Sequence, residues 1–280
     1  MTIEQDPKPF GRVLVAFDAS PQGHALLQLA ADLARCFDSS LAGLFVEDES
    51  ALSYADLPIA HEVTLGTAAV RSLNRERMLA HCRAQSRLAR RALEGLAIQH
   101  RLTCSFVSRS GQAESAIAAM TVERDLVLTS SRVGLVPRAH RRGSLEGAAR
   151  GAAAGLLALA DPRRALAVGP VCVVVTGDEP ELGPLLSVAG RIAQQRQIPI
   201  AVIALATGAQ RKALDDRIHA LLPADSSLRV YAAAGDEDVL GIIAGEQPCL
   251  LIVPDSLPDD TRRRLAESGH PALVVRSANP

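Results

Sequence analysis

Val13-Leu14-Val15-Ala16-Phe17-Asp18-Ala19-Ser20-Pro21 is the stretch that decides the fold. Its short apolar run has the length of a buried strand, and Asp18, Ser20 and Pro21 close it with turn chemistry. Ser20 supplies a helix cap, and Pro21 suits a first helical turn because the N–H it lacks has no partner there anyway. Beyond them Leu26, Leu27, Leu29, Ala30, Leu33 and Ala34 recur at helical spacing. Leu41 to Val46 is apolar again and ends on Glu47-Asp48-Glu49. The segment therefore predicts a strand, a helix and a second strand, and two parallel strands joined this way cross over right-handed.

The same unit returns later in the chain. Adding 159 to each number carries Leu14-Val15-Ala16 onto Val173-Val174-Val175, Leu26-Leu27 onto Leu185-Leu186, Leu33-Ala34 onto Ile192-Ala193, and Leu41 and Leu44 onto Ile200 and Ile203. A second block repeats at an offset of 124, taking Ser110-Gly111 onto Ala234-Gly235 and Leu126-Val127-Leu128 onto Leu250-Leu251-Ile252. Two gap-free blocks in one order indicate a tandem repeat, the first half holding 35 extra residues between its second and third strands. Each half then predicts strand, helix, strand, long helix, strand, helix, strand and a final short strand, the last at Ala165 to Val168 and at Ala272 to Val275. Such alternation implies an α/β fold with a doubly wound parallel sheet. The expected domains are residues 1–168 and 169–280. Ligands in such sheets sit beyond the carboxyl ends of the strands at the switch point, here the loops after the first and fourth strands.

Composition sets further bounds. With 280 residues, 48% hydrophobic, 22% charged and a formal net charge of −1, the chain has material for sizeable cores and lacks the signature of disorder. No stretch approaches about 20 uncharged apolar residues, and Met1 to Phe10 has no apolar signal-peptide core, so the expected location is the cytoplasm, with no membrane partner. There is no Trp, and only five Phe and two Tyr, so the core must be Ala, Val, Leu and Ile. Few stacking platforms remain for nucleic acid, which is not an expected partner. Of the 30 basic residues only Lys8 and Lys212 are lysines. The five cysteines, Cys36, Cys82, Cys104, Cys172 and Cys249, are widely spaced in mostly apolar runs, which predicts reduced buried thiols rather than a disulfide framework or zinc site.

The sequence has no G-x-G-x-x-G after a strand, no Walker loop, no G-x-S-x-G elbow and no H-E-x-x-H. Its seven histidines never fall at ligand spacing with one another or with paired carboxylates, so no metal is expected, and no catalytic triad assembles. What remains is the loop after the fourth strand, Thr129 to Ser144, with Arg132, Arg138, Arg141 and Arg142. It leads into an Ala/Gly-rich stretch read as a helix from near Ser144, in which Gly147, Gly151 and Gly155 leave one face bare. A helix N-terminus with a Gly143-Ser144 entry and nearby arginines can cradle phosphate. Spacing and composition describe a solvated basic loop equally well.

The chain resembles a family at these residues: the universal stress proteins, which have a flavodoxin-like (Rossmann-like) fold and often occur as tandem repeats. The resemblance rests on Val13 to Ser20, on Leu44-Phe45-Val46-Glu47-Asp48, on Ser110-Gly111, and on Thr129-Ser130 with Gly143-Ser144. In nucleotide-binding members an Asp after the first strand and a Val in the second contact adenosine, and a G-x2-G-x9-G-S/T loop holds the phosphates. The resemblance thus implies Asp18 and Val46 at the nucleoside, Ser130, Gly143 and Ser144 around phosphate, and ATP or AMP as the ligand. Ser130 and Val133 stand where that loop has its first two glycines, with Gly134 one place late. Only glycine leaves room for phosphate at a left-handed backbone position, so the expected site is degenerate and weakly occupied.

Half two departs further. It gives Pro254-Asp255-Ser256-Leu257-Pro258-Asp259-Asp260 where the loop should begin, without glycine and with acid that repels phosphate, which marks it as a structural or regulatory half. The insertion of half one holds a helical pattern near 68–96, with Leu79, Cys82, Ser86, Ala89, Leu93 and Leu96 on one seam and Arg71, Arg75, Arg77, Arg83, Arg87, Arg90 and Arg91 elsewhere. It reads as a sheet-covering helix with a solvated back, or as a face for an acidic partner. Leu57 to Val63 reads as a packed loop. The combined expectation is a non-enzymatic stress-response protein acting through a ligand or a protein partner. Its halves form an internal pseudo-dimer, and a homodimer stays open. The alternatives are an adenine-nucleotide-binding protein with slow ATPase activity and a ligand-free scaffold.

Overall fold

The structure, a computed structural model, describes residues 8–48, 61–63, 70–72, 75–130, 154–159, 161–176, 182–206, 209–222 and 227–276. In chain order the first half contains β1 (Arg12–Ala16), α1 (Pro21–Cys36), β2 (Ser40–Asp48), β3 (His61–Val63), β4 (Val70–Ser72), α2 (Arg75–His100), β5 (Cys104–Gly111), α3 (Ala113–Met120), β6 (Asp125–Ser130) and β7 (Gly155–Leu159). A 3-10 turn, Pro162–Leu166, leads to β8 (Val171–Thr176), α4 (Leu182–Arg196), β9 (Ile200–Leu205), α5 (Ala209–Leu221), β10 (Leu228–Ala233), α6 (Asp236–Glu246), β11 (Leu250–Pro254), α7 (Asp259–Glu267) and β12 (Ala272–Val275). The offset of 159 carries β1, α1 and β2 onto β8, α4 and β9, and the offset of 124 carries β5, α3 and β6 onto β10, α6 and β11.

Ten strands form one sheet in the order β10-β9-β8-β11-β12-β7-β6-β1-β2-β5. Within each half the sheet strands therefore lie third, second, first, fourth, fifth, which is a Rossmann-like doubly wound order with its switch point between the first and fourth strands. Pairing is parallel throughout except where the halves meet: β12 runs antiparallel to β7, with Ala272 opposite Ala158 and Val275 opposite Gly155. The short β3 and β4 pair separately as an antiparallel ribbon.

Parallel sheets need cover on both faces, and the strands are built for it. Val13 and Val15 point into one core, Leu14 and Ala16 into another. On the first face a single core runs through both halves, from Leu93 of α2 and Leu26 and Leu33 of α1 to Leu185 and Ile192 of α4 and Ile218 of α5. The second face has two separate cores, one around Ile117 of α3 and one around Val239, Ile243 and Leu265 of α6 and α7. Small residues let the layers approach. A Cβ on Gly43 of β2 would press on the Leu93 side chain and come within 3.0 Å of the Phe17 ring.

Four expectations are corrected. The last strand of half one is Gly155–Leu159, not Ala165 to Val168. The Asp161 carboxylate accepts the Arg163 N–H at 3.1 Å and Pro162 fixes the next turn, so Ala165 and Leu166 belong to the 3-10 turn and Val168 is exposed. Gly155, expected on a bare helix face, opens β7, where a Cβ would lie 2.8 Å from the Phe10 ring. The long helix spans Arg75–His100, and the neighbouring segments His61–Val63 and Val70–Ser72 are strands. Finally, α7 occupies a stretch of half two to which the sequence reading assigned no element.

Candidate functional site

After β1 the chain leaves the sheet through Phe17, whose N–H donates to the Leu44 carbonyl at 3.1 Å. Asp18 follows, half-buried, in a tight turn. Its Oδ1 accepts the Ser20 N–H at 3.1 Å and also the Ser20 hydroxyl. That hydroxyl oxygen in turn accepts the Gly23 N–H at 3.0 Å, so Ser20 caps α1 with Pro21 behind it. Gly23 has to be glycine, because a Cβ would drive into the carbonyl and carboxylate of Asp18. The turn thus fixes Asp18 by one oxygen, and Oδ2 has no hydrogen-bond partner among the described residues.

Val15 stands opposite Leu128, which brings Phe17 and Asp18 level with Ser130 at the end of β6. The two lie at the carboxyl ends of adjacent first and fourth strands, the switch point itself. Val46, near the end of β2, is buried and packs with Leu14, Leu44 and Ile117. The structure therefore groups Asp18, Val46 and Ser130 at the carboxyl ends of neighbouring strands. Gly143 and Ser144, with Arg132, Val133, Gly134 and Arg142, lie outside the described residues. Sequence reasoning missed Glu47, whose carboxylate accepts the Ser108 hydroxyl at 3.0 Å and the Ser110 hydroxyl at 3.3 Å. The signal was Ser110-Gly111 itself, since the parallel register sets Ser110 opposite Glu47.

In half two the end of β11 is engaged by its own neighbours, and residues 177–181 after β8 lie outside the described residues. Asp255, just past β11, donates its N–H to the Val275 carbonyl at 3.1 Å. Its carboxylate takes Arg262 Nη1 at 3.0 Å and Arg276 Nε at 3.0 Å, while Leu257 is buried below. Arg262 also pairs with Asp259, and Thr261 and Arg264 tie α7 to Asp236 at the start of α6. The acidic loop was expected to stay out of contact with phosphate by repulsion. The structure adds that Asp255, Asp259 and Asp260 are paired with arginines of α7 and with Arg276, and that α7 is fastened beside them.

No group of three or more His, Cys, Asp or Glu side chains among the described residues could hold a metal ion. All five cysteines are unpaired, Cys104 half-exposed and the others buried. No described helix is long and apolar enough to cross a membrane.

These features define a class, tandem doubly wound α/β proteins. Residues 9–152, half of the chain, match the model described as "Universal stress protein family", and the chain belongs to that family. Three solved structures share its architecture. A universal stress protein from Archaeoglobus fulgidus DSM 4304 is 10% identical, with 96% of this chain and 99% of that one covered and a TM-score of 0.63. A functionally unknown protein from Pseudomonas aeruginosa PAO1 is 13% identical over 95% of this chain and 92% of its own, with a TM-score of 0.59. A second P. aeruginosa protein, from strain UCBPP-PA14, is 14% identical over 95% and 93%, also at 0.59. At these identities the likeness establishes the fold. No curated protein matches the sequence.

Proposed function

We propose that this universal stress-type protein works by binding rather than by catalysis, with half one taking an adenine nucleotide weakly at its switch point and half two serving as its structural partner. The observation that carries the reading is Asp18, held by Ser20 through one carboxylate oxygen while the other has no partner among the described residues. A ribose hydroxyl is a suitable donor to such an oxygen. Val46 would line the nucleoside side, and Ser130, Gly143 and Ser144 the phosphate side, with Arg132 or Arg142 beside them. The Asp255, Arg262 and Arg276 cluster supports assigning the ligand to half one alone.

Calorimetry with ATP and AMP on the wild type and on Val133→Gly tests this. A branched side chain in strained backbone costs about 1–3 kcal/mol, so the glycine variant should gain up to about two decades in affinity. Micromolar binding by the wild type, unchanged in the variant, would show that the loop is not degenerate. Turnover of ATP above the blank in the wild type would replace the binding reading with the slow ATPase.

A further inference from the structure

We propose that the outer edge of β5, beneath the arginine face of α2, is a docking site for an acidic, extended protein segment that adds to the sheet as a further strand. β5 ends the ten-strand order and, among the described residues, pairs only with β2. Leu41 stands opposite Cys104 and donates its N–H to the Thr103 carbonyl at 2.9 Å. Parallel geometry then turns the main-chain groups of Ser105, Val107 and Arg109 toward β2, and those of Phe106, Ser108 and Ser110 outward. Among the described residues no strand pairs with these outward groups. A row of unpaired N–H and C=O groups is a template for strand addition.

Above this edge lies a cationic face. Arg83, Arg87, Arg90 and Arg91 are all exposed and fall at i, i+4, i+7 and i+8, which is one side of a helix. The Arg90 guanidinium sits 5.2 Å over the ring of Phe106, so this side of α2 overhangs β5. No described carboxylate forms an ion pair with Arg83, Arg87 or Arg91, whereas Arg262, Arg263 and Arg264 of α7 each have one. The arginines of α7 are thus paired within their own half, whereas Arg83, Arg87 and Arg91 have no ion-pair partner among the described residues.

Charge and spacing select the occupant. Every second side chain of a strand falls on one face about 6.6 Å apart, close to the rise of about 6 Å between Arg83 and Arg87. An extended segment with acid at alternate positions therefore meets the helix residue for residue. Nucleic acid would find the nearest ring, Phe106, already covered by Arg90. An anionic membrane needs a broad apolar face, and the exposed large apolar side chains of α2 are Leu88 and Ile98, interspersed with arginines. A second copy of the chain paired edge to edge would bring two arginine faces together.

The test uses the full chain and a fluorescein-labelled peptide of alternating Glu and Val as long as β5. Anisotropy should show binding that weakens with salt, and the exposed-site variant Arg83→Gln/Arg87→Gln/Arg91→Gln should bind about tenfold more weakly. Amide exchange at Phe106 and Ser108 in the wild type should slow about tenfold with peptide present. Absence of peptide binding, or binding that ignores the arginines, or unchanged exchange at both amides overturns the proposal. So does tighter binding of oligothymidylate, of phosphatidylserine vesicles or of the Lys-Val counterpart.

Discussion

Asp125 is wholly buried at the start of β6, yet its carboxylate is fully engaged. Arg12 reaches it as a fork, Nε to Oδ1 at 2.9 Å and Nη2 to Oδ2 at 2.6 Å, and the Val122 N–H donates to it at 2.8 Å. The hydrogen bond to Asp125 raises the Arg12 pKa. Arg12→Met strands a buried carboxylate and should lower unfolding stability by about 3–5 kcal/mol, read by urea denaturation. The paired variant Arg12→Met/Asp125→Leu should recover most of it. Nothing in the sequence announces this pair, because its members are joined only by strand register. The thiols were legible, since apolar runs foretell burial. Burial pushes Cys36 up to about 11 and Cys172 up to about 12, against an ordinary value of 9.0, with Arg196 drawing Cys36 partly back. A raised folded-state pKa stabilises below the unfolded value and is lost as pH rises. Stability should therefore fall between about pH 9 and 12, and less steeply in Cys36→Ala/Cys172→Ala. All five thiols should react as free groups in unreduced, denatured protein, and a mapped disulfide would contradict this.

At the scale of elements, two glycines predict opposite outcomes. Gly43 is where β2 admits α2, so Gly43→Ala should cost about 1–3 kcal/mol through displacement of Leu93 and Phe17. Gly95, on the exposed side of α2 with nothing near its Cβ position, should gain about 0.5–1 kcal/mol on change to alanine. Thermal unfolding followed by circular dichroism checks both, and equal effects would refute the packing account. The elements legible from sequence were those with long periodic patterns, such as α1, α2 and the repeated strands. β7 was misplaced because Gly155–Leu159 and Ala165 to Val168 are equally apolar short runs, and only pairing with β6 and β12 distinguishes them. α7 escaped notice because it buries little more than Thr261 and Leu265 and is otherwise held by ion pairs. At the site, Asp18 was readable as the residue closing a strand. Glu47 was not, since its hydroxyl partners come from a strand more than sixty residues away.

At the scale of the molecule, the core on one face belongs to both halves at once. Chemical unfolding should thus be a single transition, coincident by circular dichroism and by hydrogen exchange, and two separated transitions would show the halves to be independent. The junction of β7 with β12 obeys an internal twofold relation: Gly155 faces Val275 while Ala158 faces Ala272. A copy of half one alone has the same strand to offer itself. The antiparallel sense of this seam also sets the two switch points on opposite rims of the sheet, one opening upward where the other opens downward. No single small molecule can bridge them. If occupancy at Asp18 is to be felt at Asp255, one route for strain is the hydrogen-bonded backbone across β6, β7, β12 and β11, and another is the core that α1 and α4 share.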